Sequence, residues 1–269
     1  GCPDGFSGAW AAHKKFGNNA HYVPAHRGQP TPQVKDKEVY FIDFLYNEKA
    51  TKQFVKNNKK VVAIDHHITA ESAAKLCHDY LFDINRSGAV LAWKYFFPKK
   101  TIPRLLLYVE DFDLWKFKLP RTQEIDYAIS THDQTFKNWN YLARALDKAR
   151  PRKKIIDKGA TIKQYAEQNI EQLIQHRTYI TKFEGMKMLA INYPNSTLET
   201  SYLGAAMLKK HPPVALIWSQ VGDKLGVSLR SNGKVDVSKI AAKYGGGGHK
   251  AAAGFRWDAN KKLPWELIN

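Results

Sequence analysis

Val61-Val62-Ala63-Ile64-Asp65-His66-His67 is the stretch on which the reading of this chain turns. Four apolar residues, three of them β-branched, run straight into an acid and two histidines. Bounded by Lys59-Lys60 before it and by Thr69 and Glu71 after it, the run has the length of a buried strand. Its polar triplet would then sit at the strand's C-terminal end, where open α/β sheets place their ligand sites. Carboxylate with imidazole is also a common donor mixture for divalent transition metals. An exposed turn with two incidental histidines is the competing reading, and the flanking sequence has to separate them.

Upstream, Val39-Tyr40-Phe41-Ile42 is a second apolar strand candidate and ends in Asp43, with a helix expected over 48–57 between the two. Strand, helix and strand make a βαβ unit, which favours a parallel sheet with a right-handed crossover. Before it, Gly1-Cys2-Pro3-Asp4-Gly5 reads as a turn holding Asp4, for which an N-cap is the ordinary job. Phe6–Phe16 follows as a helix closing at Gly17, then a strand over Ala20–Ala25 and a Pro/Gly-rich loop through Pro32.

Downstream, Tyr80–Asp83 is a short strand, and Ser87–Phe97 a helix capped by its serine and stopped by Pro98. Ile102–Val109 is expected to be helical and to deliver Glu110-Asp111-Phe112-Asp113. Smaller helices are expected over 125–130 and 139–149. Pro151-Arg152-Lys153-Lys154 marks a change. From Ile155 to about Tyr179, apolar residues fall at 162, 165, 166, 170, 173, 174 and 180, close to a 3.6 period, so a long helix is expected there. Strands then follow over 186–191, 214–219 and 224–229, with helices over 198–208 and 237–244. Two domains divided between 150 and 185 account for this order.

The totals narrow the class of partner. A chain of 269 residues with 43% hydrophobic content can bury one large core or two ordinary ones. No apolar run reaches the ~18 residues of a membrane span, and no signal-peptide pattern is visible. Two cysteines, Cys2 and Cys77, make no disulfide framework, so a reducing cytoplasm is the default. The 42 basic against 25 acidic residues leave +17, a field that attracts polyanions. Nucleic acids and nucleotides outrank membrane surfaces, since no strongly amphipathic basic helix stands out.

Asp4, Asp43, Asp65-His66-His67 and Asp111 all sit at the ends of apolar segments, and strand ends of a doubly wound domain converge on one sheet edge. Clustered carboxylates repel unless a cation neutralises them, and imidazole among the donors favours Mn²⁺, Zn²⁺ or Fe²⁺ over Mg²⁺. Two such ions could activate a water and clamp phosphoryl oxygens for in-line attack. A separate device is Gly245-Gly246-Gly247-Gly248-His249, followed by Ala251-Ala252-Ala253-Gly254. Glycines let a backbone approach a ligand closely and can form an anion-binding nest. A flexible loop is the usual meaning of such a run; the histidine and small residues after it favour a fixed turn. It satisfies neither a P-loop nor a Rossmann fingerprint.

Taken together, these motifs resemble the DHH phosphoesterases that carry a C-terminal DHH-associated (DHHA1) domain. Asp65-His66-His67 is the eponymous triplet; Cys2-Pro3-Asp4-Gly5-Phe6 resembles the first motif, Asp43 in Phe41-Ile42-Asp43-Phe44 the second, and Asp111 in Glu110-Asp111-Phe112-Asp113 the fourth. Gly245 to His249 with Ala252-Ala253-Gly254 matches the associated domain, and Arg230-Ser231 its basic strand end. The resemblance implies a doubly wound, mostly parallel N-terminal domain over 1–150, a linker helix over 151–184 and a smaller α/β domain over 185–269, with the active-site cleft between them. It implies two Mn²⁺-type ions, with Mg²⁺, Co²⁺ or Fe²⁺ as alternatives. Asp4, Asp43, His66 and Asp111 would be the ligands, Asp43 bridging. Asp65 would orient an imidazole and His67 would face the phosphate. Arg230, Ser231, Gly246, Gly247, Gly248 and His249 would hold substrate. Arg86 could add a phosphate contact, with a salt bridge as its simpler role.

The sequence departs from the family pattern twice. The family's first motif opens with a metal-ligand His four residues before the Asp, a position ahead of Gly1, so a short preceding segment with that His and its strand is expected. Where many members have Asp two residues after the first-motif Asp, this chain has Phe6, which weakens one ion site or recruits Asp113. The expected activity is hydrolysis of short single-stranded oligonucleotides or nucleotides, as in nanoRNases or phosphoadenosine phosphate phosphatases. Polyphosphate cleavage is an alternative of the same chemistry, and a nucleic-acid-binding module with a decayed site is one of another class. Substrate, polarity and oligomeric state, a homodimer included, stay open at this level.

Overall fold

Val61, Val62, Ala63 and Ile64 are fully buried, and they form the middle of β2 (Lys60–Asp65), flanked on both sides by parallel strands. The computed structural model describes residues 2–25, 29–194 and 197–268. It divides into two units, Gly1–Lys163 and Gln164–Asn269.

In the first unit, β1 (Glu38–Ile42) and β3 (Asp79–Phe82) pair in parallel with β2. Alternation sends successive β1 side chains to opposite faces. Phe41 meets Phe54 of helix α2 (Glu48–Asn57) at a ring distance of 4.9 Å. Its neighbour Tyr40 meets Phe96 of α4 (Gly88–Phe96) at 5.4 Å on the other face. A β2 buried at every apolar position is what a sheet covered on both faces requires. The larger core lies on the α4 side, where α1 (Pro3–Phe16), α4, α5 (Arg104–Asp113) and α7 (Phe136–Asp147) bury Trp10, Leu91, Leu105 and Leu142 against Val62 and Ile64. A shorter α3 (Glu71–Ala74) follows β2, and α6 (Thr122–Ser130) lies between α5 and α7.

The expected strand over Ala20–Ala25 is absent: these residues are irregular. Tyr22 is held by its ring, edge-on against Phe136, and by its hydroxyl, which donates to Gly17 O at 2.7 Å, and among the described residues no strand pairs with this segment. The loop expected through Pro32 includes 26–28, which lie outside the described residues.

The long helix, α8 (Ala149–Arg177), starts six residues earlier than its apolar period does, and the unit boundary falls inside it. Ile155 belongs to the core of the first unit and Ile170 to that of the second. The second unit is a seven-stranded mixed sheet in the order β10-β4-β5-β6-β7-β9-β8. Its strands are β4 (Tyr179–Phe183), β5 (Met186–Asn192), β6 (Val214–Val221), β7 (Lys224–Ser231), β8 (Gly247–His249), β9 (Ala252–Asp258) and β10 (Glu266–Leu267). Helix α9 (Thr197–Lys210) buries Leu203 and Met207 on one face, and α10 (Val237–Lys243) buries Val237 and Ile240 on the other.

Candidate metal centre

The imidazole of His66 lies at the C-terminal edge of β2 and is 1% exposed. Its Nε2 is 3.1 Å from Asp43 Oδ1, 3.6 Å from Asp4 Oδ2 and 3.6 Å from Asp113 Oδ2. Three carboxylates thus converge on one ring nitrogen.

Each acid reaches this point by a different local device. Asp43 directly follows β1 and takes a left-handed backbone, φ 58°, while its N–H donates to Ile64 O at 2.9 Å. That turn swings the side chain over the sheet edge. Asp4 is not in a turn ahead of the first helix: Cys2 is the N-cap, its sulfur accepting from Gly5 N at 3.3 Å, and Asp4 falls in the first turn of α1. There it accepts the amides of Gly88 and Ala89 at 2.7 and 3.0 Å, across the start of α4. Two helix N-termini therefore stabilise its negative charge. Asp113 has the reverse setting. It ends α5, where the helix field opposes an anion, and its Oδ2 is shielded from solvent with no hydrogen-bond partner among the described residues.

Asp111 corrects one expectation. Its carboxylate accepts from Lys118 N at 2.9 Å, Leu119 N at 3.0 Å and Thr122 Oγ1 at 2.5 Å, so it braces the loop after α5 instead of joining the acids around His66. The helix runs on to Asp113, and residues two apart on a helix point about 200° apart. Asp113 therefore stands where Asp111 was expected.

Asp65 is 1% exposed, and its Oδ1 takes three hydrogen bonds, from His66 N at 2.7 Å, His67 N at 2.9 Å and the Nδ1 edge of His67 at 2.7 Å. Burial alone would raise its pKa; the bonds and charge from His67 outweigh this and hold it below the usual carboxylate value. It orients His67, which also lies 3.9 Å from Asp43 Oδ1 and is 22% exposed. Burial pushes Asp43 and Asp113 well above the ordinary carboxylate range, and the charge of Asp4 adds to the effect in both. The same burial, with Asp43 and Asp4 close by, raises the Cys2 thiol, whose Sγ donates to Asp43 Oδ2 at 3.2 Å. Oxygen and imidazole donors around an uncompensated acid fit a divalent cation, and Asp4, His66 and Asp113 offer one donor atom each within 4.8 Å of one another.

Gly88 is part of this geometry and is not evident from any motif. A Cβ there would lie 2.6 Å from Asp43 Cβ and 2.9 Å from its Oδ1. Phe6 points the other way, stacked on Phe136 at 5.4 Å and edge-on to Trp139 at 4.7 Å, so it packs the core. Arg86 pairs with Glu110 at 2.8 Å, the simpler of its two expected roles.

In the second unit, Arg230 and Ser231 end β7. The guanidinium donates to Ser201 Oγ at 3.2 Å and to Leu229 O at 3.1 Å, and burial lowers its pKa to about 10, still cationic at neutral pH. The Ser231 hydroxyl is used within its own turn, donating to Val235 O at 2.7 Å and accepting from Gly233 N. The glycine run is not a flexible loop. Gly247, Gly248 and His249 form β8, paired with Gly254, Ala253 and Ala252. A Cβ on Gly246 would sit 2.1 Å from Gly254 O, and Gly248 holds φ 144°.

Residues 200–264 match the DHHA1 domain. The whole chain is 29% identical to an uncharacterized protein of Acanthamoeba polyphaga mimivirus, over 68% of that protein. Among solved structures, RecJ of Thermus thermophilus in complex with Mn²⁺ aligns over 95% of this chain and 48% of its own, with 13% identity and a TM-score of 0.47. A pGpG-specific phosphodiesterase, PggH of Vibrio cholerae, aligns over 83% and 94%, with 13% identity and a TM-score of 0.43.

Proposed function

We infer that this chain, a member of the DHH phosphoesterases with a DHHA1 domain at residues 200–264, is a divalent-metal-dependent phosphohydrolase of nucleotides or short oligonucleotides. The observation that carries the reading is the buried His66 Nε2 amid Asp4, Asp43 and Asp113 at the end of β2. These four residues would hold the cation. Imidazole among the carboxylates favours Mn²⁺, Zn²⁺ or Fe²⁺ over Mg²⁺. When bound, such ions supply Lewis acidity towards water and phosphoryl oxygens.

The chain's own groups do the positioning. Asp65 stays ionised and fixes Nδ1 of His67, so the opposite ring edge, Nε2, is the one offered to substrate. A proton on that nitrogen can be donated to a phosphate oxygen. Asp4, anchored by two backbone amides of α4, holds its carboxylate in place without needing the substrate. In the second unit, Arg230, the Gly246-Gly247-Gly248 backbone and His249 are the phosphate-holding set. The +17 charge speeds arrival of an anionic substrate.

Mn²⁺-dependent release of mononucleotide from a 5′-labelled dinucleotide tests this. Turnover should vanish with EDTA, return with Mn²⁺, and fall at least 100-fold in His66→Ala. Hydrolysis that EDTA leaves untouched would overturn the reading.

A further inference from the structure

Helix α7 and the opening turns of α8 carry a concentration of charge that the acidic centre does not use. Between Lys137 and Lys158 the sequence has eight basic residues against two acids, Asp147 and Asp157. Like charges are thus held together, at a cost that a bound polyanion would remove.

Helix periodicity sorts these residues into two rows. On α7, Trp139, Leu142 and Leu146 are buried, and Trp139 Nε1 donates to Ser7 Oγ of α1 at 2.8 Å, so the opposite side of the helix faces solvent. Lys137, Tyr141 and Arg144 fall on that side, at i, i+4 and i+7, all exposed. Lys148 follows in the one-residue link to α8. On α8, Ile155 is buried in the core, while Arg150, Lys154 and Lys158 stay exposed at i, i+4 and i+8. Contacts bring the two rows side by side. Arg152 donates to Leu146 O at 3.0 Å and Lys158 Nζ to Thr131 Oγ1 at 2.7 Å, so α8 runs back along α7. Thr131 Oγ1 meets His132 Nδ1 at 3.4 Å, and the His132 ring lies 6.0 Å from that of Tyr141. The head of Lys158 is therefore joined to Tyr141 through two touching side chains.

Basic residues on a helix are ordinarily solvated or paired with acids one turn away. Here Asp157 is taken by Lys153 at 2.7 Å, and Asp147 lies about a quarter-turn off the α7 row. Lys137, Arg144, Lys148, Arg150 and Lys154 make no ion pair among the described residues. The ring between the cations decides the class of partner. A membrane surface calls for apolar side chains to insert beside the charges, and Trp139, Leu142, Leu146 and Ile155 are turned inward. Tyr141, 50% exposed between Lys137 and Arg144, offers a surface on which an unpaired base stacks. Cations in a row with an aromatic ring among them suit a chain of phosphodiesters whose bases are free.

We propose that the exposed face of α7 and α8 binds single-stranded nucleic acid, with Arg144, Lys148, Arg150, Lys154 and Lys158 following the phosphates and Tyr141 stacking on a base. The surface uses none of the residues around His66, so it stands whether or not the chain hydrolyses phosphoesters.

The test is fluorescence anisotropy of a 5′-fluorescein-labelled oligo-dT of about 20 nucleotides, long enough to span the face, with the full chain in EDTA. Arg144→Gln combined with Lys154→Gln should weaken binding at least about tenfold at about 100 mM salt. It should also flatten the dependence of log Kd on log salt by about 1.4, since each lost phosphate contact takes about 0.7 from the slope on a single strand. Lys52→Gln combined with Lys56→Gln, the same charge change at exposed positions of α2, should cost less than about threefold. Tyr141→Ala should weaken binding at least about fivefold with the salt slope unchanged, and Tyr141→Phe should keep most of the affinity. A duplex of the same length should bind more weakly than the single strand. Equal losses in the α2 and α7–α8 variants would leave only net charge at work and overturn the proposal. So would a duplex held as tightly as the single strand, or a Tyr141→Ala protein that binds as the native one does. Loss of binding to phosphatidylserine vesicles in the α7–α8 variant, with oligo-dT binding intact, would assign the face to a membrane and overturn it as well.

Discussion

Asp111 and Asp113 stand on the same helix, two residues apart, and do opposite things. Asp111 spends its charge on backbone amides and a hydroxyl; Asp113 turns a shielded oxygen towards two other acids and His66. Asp111→Asn should therefore destabilise the protein by about 1–3 kcal/mol, as charge-assisted bonds do when weakened, seen as a lower urea midpoint. Asp113→Asn should leave the metal-free protein at least as stable as the native one and abolish most of the rise in Tm caused by Mn²⁺. The pH dependence follows from the same repulsion. Asp43 and Asp113 have folded-state pKa values raised above their unfolded ones, so their contribution is fully present below the ordinary carboxylate pKa and is lost as pH rises through the raised values. Thermal melts of EDTA-treated protein should show stability falling over that rise, with Mn²⁺ cancelling the fall. The sequence could nominate acids at segment ends, since a motif is a string of residue types. It could not say which of two neighbouring acids faces inward, because that depended on α5 continuing four residues past Val109.

At the scale of elements, the site is a meeting of ends: β1 and β2 stop, α1 and α4 begin, and α5 terminates around His66. Gly88 sets how closely α4 can start to Asp43. Gly88→Ala should push the Asp43 carboxylate aside and cost at least tenfold in kcat/KM, with helix content by circular dichroism nearly unchanged. Ser87→Ala, which loses only the cap to Val90 N, should cost about 1 kcal/mol of stability and much less activity. Elements with strong local signals were legible before any coordinates. The helix over 48–57 and the strand ending at Asp65 have both hydrophobic pattern and end signals, and both appear where expected. Those whose existence depends on a distant partner were not. Tyr179–Phe183 reads as the tail of the long helix until β5 and β10 pair with it, and Gly247–His249 becomes a strand only against β9.

For the whole molecule, the excess of 17 positive charges makes a prediction independent of any one contact. KM for an oligonucleotide substrate should rise steeply between about 50 and 200 mM salt, while that for a small base-free phosphodiester changes little, because each neutralised phosphate adds to the salt slope. The sequence leads one to expect two units because its hydrophobic period changes from mixed strands and helices to one long helix and back. Where the division falls inside α8 was not legible, since its packing partners change from those of Ile155 to those of Ile170 without a break in the sequence pattern. The glycine run carries a last consequence at this scale. Glycine tracts ordinarily tolerate lengthening, as spacers do. Here Gly247, Gly248 and His249 are locked opposite Gly254, Ala253 and Ala252, so one added glycine slips the ladder by a residue. On a strand that slip is an inversion: the imidazole of His249 would leave one face of the sheet and emerge on the other.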